Sequence, residues 1–190
     1  MQIFSKDAFN FRQQLTDMKH VPNLALCGVF VALYAVLSPL KIPISNILEI
    51  RTAFLALAVA GYIGGPIVGL FVGILGDFVS MFMPGFGGVY FPGFTIQYAL
   101  LGLLFGIVLY RTKITIPRVI IAAVVHFLIG ISIGSLNLWL MYGMPWKQLF
   151  GLRLLKSVVT LPVDSILLFV FLTAFVQIAL HAGLTRKQKA

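Results

Sequence analysis

Residues 52–76 read TAFLALAVAGYIGGPIVGLFVGILG and hold no Asp, Glu, Lys or Arg. An uncharged apolar run of this length exceeds the roughly 20 helical residues that cross a hydrocarbon core about 30 Å thick. It also carries a breaker run, Gly61, Gly64, Gly65 and Pro66. One helix is therefore expected near 49–63 and a second from Pro66 to about Met83. Pro66 suits a first helical turn, where its missing amide costs nothing.

The pattern repeats outward along the chain. Residues 21–40 and 78–110 are also free of Asp, Glu, Lys and Arg, 119–146 contain only His126, and 157–185 only Asp164 and His181. Overall 60% of the 190 residues are hydrophobic and 10% are charged. A soluble domain has about a quarter of its residues charged. The fold class read from this is an all-α integral membrane protein, a compact bundle of six transmembrane helices. The helices are expected near 22–40, 49–63, 66–83, 95–110, 117–140 and 153–181. PGFGGVYFPGF (84–94) and YGMPWKQLFG (142–151) are expected as loop or interfacial pieces. Phe4, Ala8, Phe11 and Leu15 follow the spacing of one helical face, so residues 1–20 read as an amphipathic lead-in to a single transmembrane domain rather than a signal peptide. Pro162 is expected to break the hydrogen-bond ladder of the last helix.

The net charge of +9 does not point to nucleic acid. Its cations flank the apolar spans, and no basic stripe is interleaved with exposed aromatics. Six helices place both termini on one side. Nine Lys/Arg fall there (Lys6, Arg12, Lys19, Arg111, Lys113, Arg118, Arg186, Lys187, Lys189) and five opposite (Lys41, Arg51, Lys147, Arg153, Lys156). The excess favours both termini in the cytoplasm. The five outer cations have one nearby acid, Glu49, and a mouth of that charge suits an anionic solute.

Catalytic templates are absent: there is no HExxH, no G-x-S-x-G and no P-loop. The single cysteine, Cys27, cannot build a disulfide or a cysteine-based metal site. The three histidines are scattered, so no metal site and no cofactor are expected, and His126 reads as a packed helix residue. Asp77 and Asp164 are ionisable groups at membrane depth, where a partner or wet cavity is needed. Asp77 has Arg51 as a possible partner, and Asp164 a neighbouring helix. Gly28 and Ala32, four apart, permit close helix approach, either within the bundle or toward another subunit. Two clusters combine aromatic and polar groups: Tyr90, Phe91, Phe94 and Thr95 with Gln97, and Asn137, Trp139, Tyr142, Trp146 and Lys147 through Arg153 and Lys156. Stacking surfaces, edge hydrogen bonds and counter-charge are what a flat heteroaromatic anion needs. An interfacial aromatic belt explains Tyr142 and Trp146 as well, but not Asn137.

Those stretches carry a resemblance. YFPGFT (90–95), NLWLMYGMP (137–145), RLLK (153–156), Leu161-Pro162, the Gly28/Ala32 pair and GPIVGLFVGILGDF (65–78) resemble the folate-type S components of energy-coupling factor (ECF) transporters. The resemblance implies a six-helix vitamin binder of prokaryotic cell membranes that is not itself an enzyme. It implies attachment, through the small-residue face of helix 1, to a transmembrane coupling subunit bearing two ATPases. It implies a folate pocket opening outward under the 1–2, 3–4 and 5–6 loops. Placed on this sequence, Tyr90, Phe91 and Phe94 line or gate that pocket and Asn137 and Trp139 address the ring system. Arg153 and Lys156 neutralise the glutamate carboxylates, and Asp77 meets the pterin amino edge. Asp164 stands where the family has a neutral amide, so another vitamin (pyridoxine, riboflavin or pantothenate) stays open. So, more remotely, does an intramembrane enzyme using Asp77, Asp164 and His126.

Overall fold

The computed structural model describes residues 6–18, 21–43, 49–83, 90–143 and 146–181. A 3-10 turn (Lys6–Phe9) and helix α1 (Phe11–Asp17) lead into α2 (Val21–Leu37). Strands β1 (Lys41–Pro43) and β2 (Glu49–Arg51) follow, then α3 (Ala53–Ser80), α4 (Pro92–Leu109), α5 (Ile116–Tyr142) and α6 (Trp146–His181).

Helix α3 is two helices joined at one residue. Gly65 has φ 88° and ψ −178°, a conformation only glycine adopts without strain, and Pro66 starts the second limb. Thr52 Oγ1 donates to the carbonyl of Leu37 at 2.8 Å, while Gly76 packs against the ring of Tyr34, one turn earlier in α2. A straight helix would hold residues 52 and 76 about 36 Å apart. The chain therefore doubles back at Gly65, and the two limbs of α3 with α2, α4, α5 and α6 make the expected six helices. Among the described residues, the helices 92–109, 116–142 and 160–178 are each long and apolar enough to cross a membrane, 53–80 reaches that length only over its two limbs together, and Asn23–Leu37 is shorter. The first limb, at about 18 Å, is shorter than a bilayer core. Every residue from Ala53 to Gly61 is buried by neighbouring helices, so it has little lipid to match.

Backbone contact between α3 and α4 organises the core. The carbonyl of Gly69 lies where a Cβ on Gly102 would sit and the carbonyl of Gly102 where one on Gly69 would, Gly73 lies on the backbone of Tyr98, and Gly61 and Pro66 both lie on Gly106. Small residues four apart (61, 65, 69 and 73) allow this approach, the membrane counterpart of close helix packing. Phe30, Phe54, Leu57, Leu101 and Phe105 fill the space around it.

Three boundaries differ from expectation. Residues 49–51 form a strand rather than a helical turn. β1 and β2 pair antiparallel, Lys41 with Arg51 and Pro43 with Glu49, and Thr52 ties the ribbon to α2 through the carbonyls of Leu37 and Leu40. Helix α6 begins at Trp146 rather than 153, since WKQLFGLRLLK is rich in helix formers. Gly143, in the left-handed region with its N–H on the Trp139 carbonyl, ends α5 just before it. α6 also runs through Pro162, which removes one backbone bond without ending the helix.

The lead-in docks through Ala8 and Gln14. Phe11 and Leu15 are exposed, whereas Gln14 is buried, accepting from the Ile67 N–H at 3.3 Å beside the Gly65 turn. Gln14 thereby satisfies an amide of the new helix start. One end of the bundle thus holds α1, the Gly65 turn and the α4–α5 turn. The other holds the strand ribbon, the end of α3 and the start of α4, and the end of α5.

Candidate functional site

At that second end, the first turns of α4 separate two polar pairs. Thr95 Oγ1 donates to Asp77 Oδ2 at 2.7 Å on the α3 side. Asn137 Nδ2 donates to Gln97 Oε1 at 3.3 Å on the α5 side, and Gly93 leaves room for the Asn137 carboxamide and the Phe91 ring. At 100° per residue, Thr95 and Gln97 point about 200° apart. Ile96 and Leu100, between them on one arc, are exposed, so Phe94 and Tyr98 fall on the opposite, inward arc. The site is an aromatic centre flanked by a carboxylate and an amide.

Each polar group is held from more than one direction. Asp77 is 5% exposed, near the end of α3, and its carbonyl accepts from Ser80 Oγ at 2.7 Å. Tyr90 OH lies 3.1 Å from Thr95 Oγ1. The threonine's one proton goes to the carboxylate, so the phenol is the donor in that contact. Arg51 of β2 lies within electrostatic reach of Asp77 and of Tyr34. The Tyr34 ring meets Tyr98 edge-on at 5.8 Å, Phe91 meets Phe94 at 6.1 Å, and Phe78 meets Tyr90 at 6.3 Å. These crossed rings leave the inward arc lined by aromatic faces and edges.

Of the residues singled out in the sequence, the structure gathers Asp77, Tyr90, Phe91, Phe94 and Asn137 here. Trp139 is not gathered with them. It lies two residues beyond the buried Asn137 on α5, and its 46% exposure puts it on the outward arc, since neighbours two apart do not share a helix face. The side chains of Arg153 and Lys156 lie outside the described residues, although α6 passes through both positions. Tyr34 and Tyr98, unremarked in the sequence, belong to the centre. Their signal was weak, since a tyrosine in an apolar helix reads as packing.

Asp164 is not part of this end. Its Oδ2 stands 3.7 Å from His126 Nδ1, and the His126 imidazole stacks on Phe54 at 4.5 Å. Asp164 and His126 thus meet each other, whereas Asp77 is bonded to Thr95. Gly28 and Ala32 lie on an exposed face of α2, and a Cβ at Gly28 would meet nothing within 4 Å. Among the described residues no group of three metal-ligating side chains occurs.

The sequence pattern of the family described as "ECF transporter, substrate-specific component" matches residues 22–186. This chain belongs to that family. It is a multi-pass prokaryotic membrane protein and a substrate-binding transport subunit, working with the transmembrane and ATPase modules of its transporter rather than hydrolysing ATP itself. This S component is similar to the folate transporter FolT of Clostridium novyi (strain NT), 29% identical over 125 residues, 65% of this chain and 72% of the relative. Its fold is similar to a crystal structure of FolT bound with folic acid: TM-score 0.68, 31% identity, 79% of this chain and 92% of that one covered.

Proposed function

We propose that this S component, acting as a single transmembrane unit, binds folate from the outer side and delivers it inward with its coupling module. The observation that carries the reading is the pairing of Asp77–Thr95 and Asn137–Gln97 on either side of an aromatic centre. A pterin is flat, so it stacks between rings. Its 2-amino-4-oxo edge offers N–H donors to a carboxylate, and its remaining edge suits an amide. Similarity to FolT and to its folic-acid-bound structure supports the same cargo.

In this reading Asp77 accepts the pterin amino edge, Tyr90, Phe91 and Phe94 line the ring, and Asn137 meets the opposite edge. Trp139 serves at the mouth. Arg153 and Lys156 face the glutamate carboxylates of folate. The site end faces outward. Arg12, Arg111, Lys113 and Arg118 lie on the elements of the opposite end, and this cation excess supports a cytoplasmic side for both termini. The exposed Gly28/Ala32 face of α2 receives the coupling subunit.

Uptake of radiolabelled folic acid tests this in cells producing the chain with and without the coupling subunit and its ATPases. Accumulation is expected only when all are present. Equal accumulation without the modules, or none with them, contradicts the reading.

A further inference from the structure

Thr95 uses its hydroxyl unlike four other helical hydroxyls among the described residues. Thr16, Ser132, Ser165 and Thr173 donate to the carbonyl one turn earlier in their own helix. Thr95 instead turns across to α3 and spends its proton on Asp77 Oδ2 at 2.7 Å. Behind it stands Tyr90 OH, 3.1 Å from Thr95 Oγ1. With Thr95 committed as donor, both protons of this chain point toward the carboxylate. Such a chain polarises cooperatively, and it commits Asp77 Oδ2 as an acceptor and favours the charged, acceptor-only form of the carboxyl group.

We infer that Thr95 is a positioning residue that sets substrate specificity: it holds Asp77 as an oriented, acceptor-only carboxylate, selecting ligands whose facing edge carries N–H donors over isosteres presenting a carbonyl oxygen. The inference rests on the folate reading and deepens it. A carbonyl facing the same carboxylate would place two acceptors against each other. A site built around donors rejects a ligand lacking them far more strongly than it rejects a change of size. Tyr90, one bond removed, acts through Thr95 and carries a smaller share.

The test is equilibrium binding to the detergent-purified full chain, using folic acid and an analogue whose 2-amino group is replaced by an oxo group. Wild type is expected to prefer folic acid by roughly ten-fold or more, the scale of a hydrogen bond to a charged group. Thr95→Val is expected to weaken folic acid about ten-fold and the analogue much less, shrinking the ratio, and Thr95→Ser to restore both. Tyr90→Phe is expected to shrink the ratio by only about two- to three-fold, and it decides the matter if Thr95→Val does not fold. An unchanged ratio in Thr95→Val, or in Tyr90→Phe when that variant decides, overturns the inference, as does a failure of Thr95→Ser to restore it. Folic acid binding by wild type with no preference over the analogue, or with a preference that the deciding variant leaves unchanged, sinks this inference alone. No folic acid binding by wild type sinks the folate reading and this inference with it.

Discussion

His126 Nδ1 stands 3.7 Å from Asp164 Oδ2, joining α5 to α6 at a level about 16 Å along α5 from Asn137. The acid is therefore held by a neighbouring helix, about three helical turns along α5 from Asn137. Its negative charge is not an obstacle to an anionic cargo there.

Asp164→Asn is accordingly expected to change folic acid affinity by less than about two-fold. It is expected to cost roughly 1 kcal/mol of stability, the scale measured for interhelical polar contacts in membranes. Thermal unfolding in detergent and binding of the same sample check both halves. A large loss of affinity at unchanged stability would place Asp164 at the cargo.

Gly102→Leu is expected to be among the most damaging single changes. Each of Gly69 and Gly102 has the other's carbonyl where its Cβ would sit, so a side chain at either position separates α3 from α4. Overpacking costs about 1–3 kcal/mol where helices can shift, and backbone contact leaves little room to shift. The melting temperature of the purified variant reports it, with Gly28→Leu as the control expected to melt like wild type.

Much of the fold was legible because membrane burial writes itself into composition. Charge-free runs marked six helices, and the Gly65-Pro66 break marked the turn between two of them. What escaped was decided by tertiary contact. Only the packed structure shows that Gly61, Gly69 and Gly73 meet Gly106, Gly102 and Tyr98 on α4. No local pattern signals that His126 and Asp164, on different helices, face each other. The β1–β2 ribbon is too short for a periodic signal, and it depends on Thr52 reaching α2. For the site, residues near the YFPGFT run were readable from residue chemistry. Proximity in sequence did not show that Trp139 is exposed while Asn137 is buried, since two residues along a helix changes the face.

Gly28→Leu combined with Ala32→Leu is expected to abolish uptake while leaving folic acid binding to the isolated chain unchanged. Both positions are exposed, and the Cβ position at Gly28 is open, so bulk there meets a partner rather than the bundle. Binding assays on the purified variant beside uptake in cells separate the two effects. Loss of binding would assign this face to internal packing.

Arg153→Ala is expected to weaken folic acid roughly ten-fold and pteroic acid, which lacks the glutamate, by much less, because a charge-assisted hydrogen bond to a carboxylate is lost. Parallel titrations of the two ligands read the difference. Equal losses would remove the counter-charge role.

The central claim is that the end bearing Asp77 and Asn137 holds folate. Its most direct test is titration of folic acid into the detergent-purified chain, beside pyridoxine, riboflavin and pantothenate. One folic acid per chain is expected to bind with a Kd below about 1 µM, corresponding to roughly −8 kcal/mol or tighter, while the other three fail to saturate at that concentration. Tight binding of one of those three in its place, or no binding of folic acid at micromolar concentration, would contradict the account.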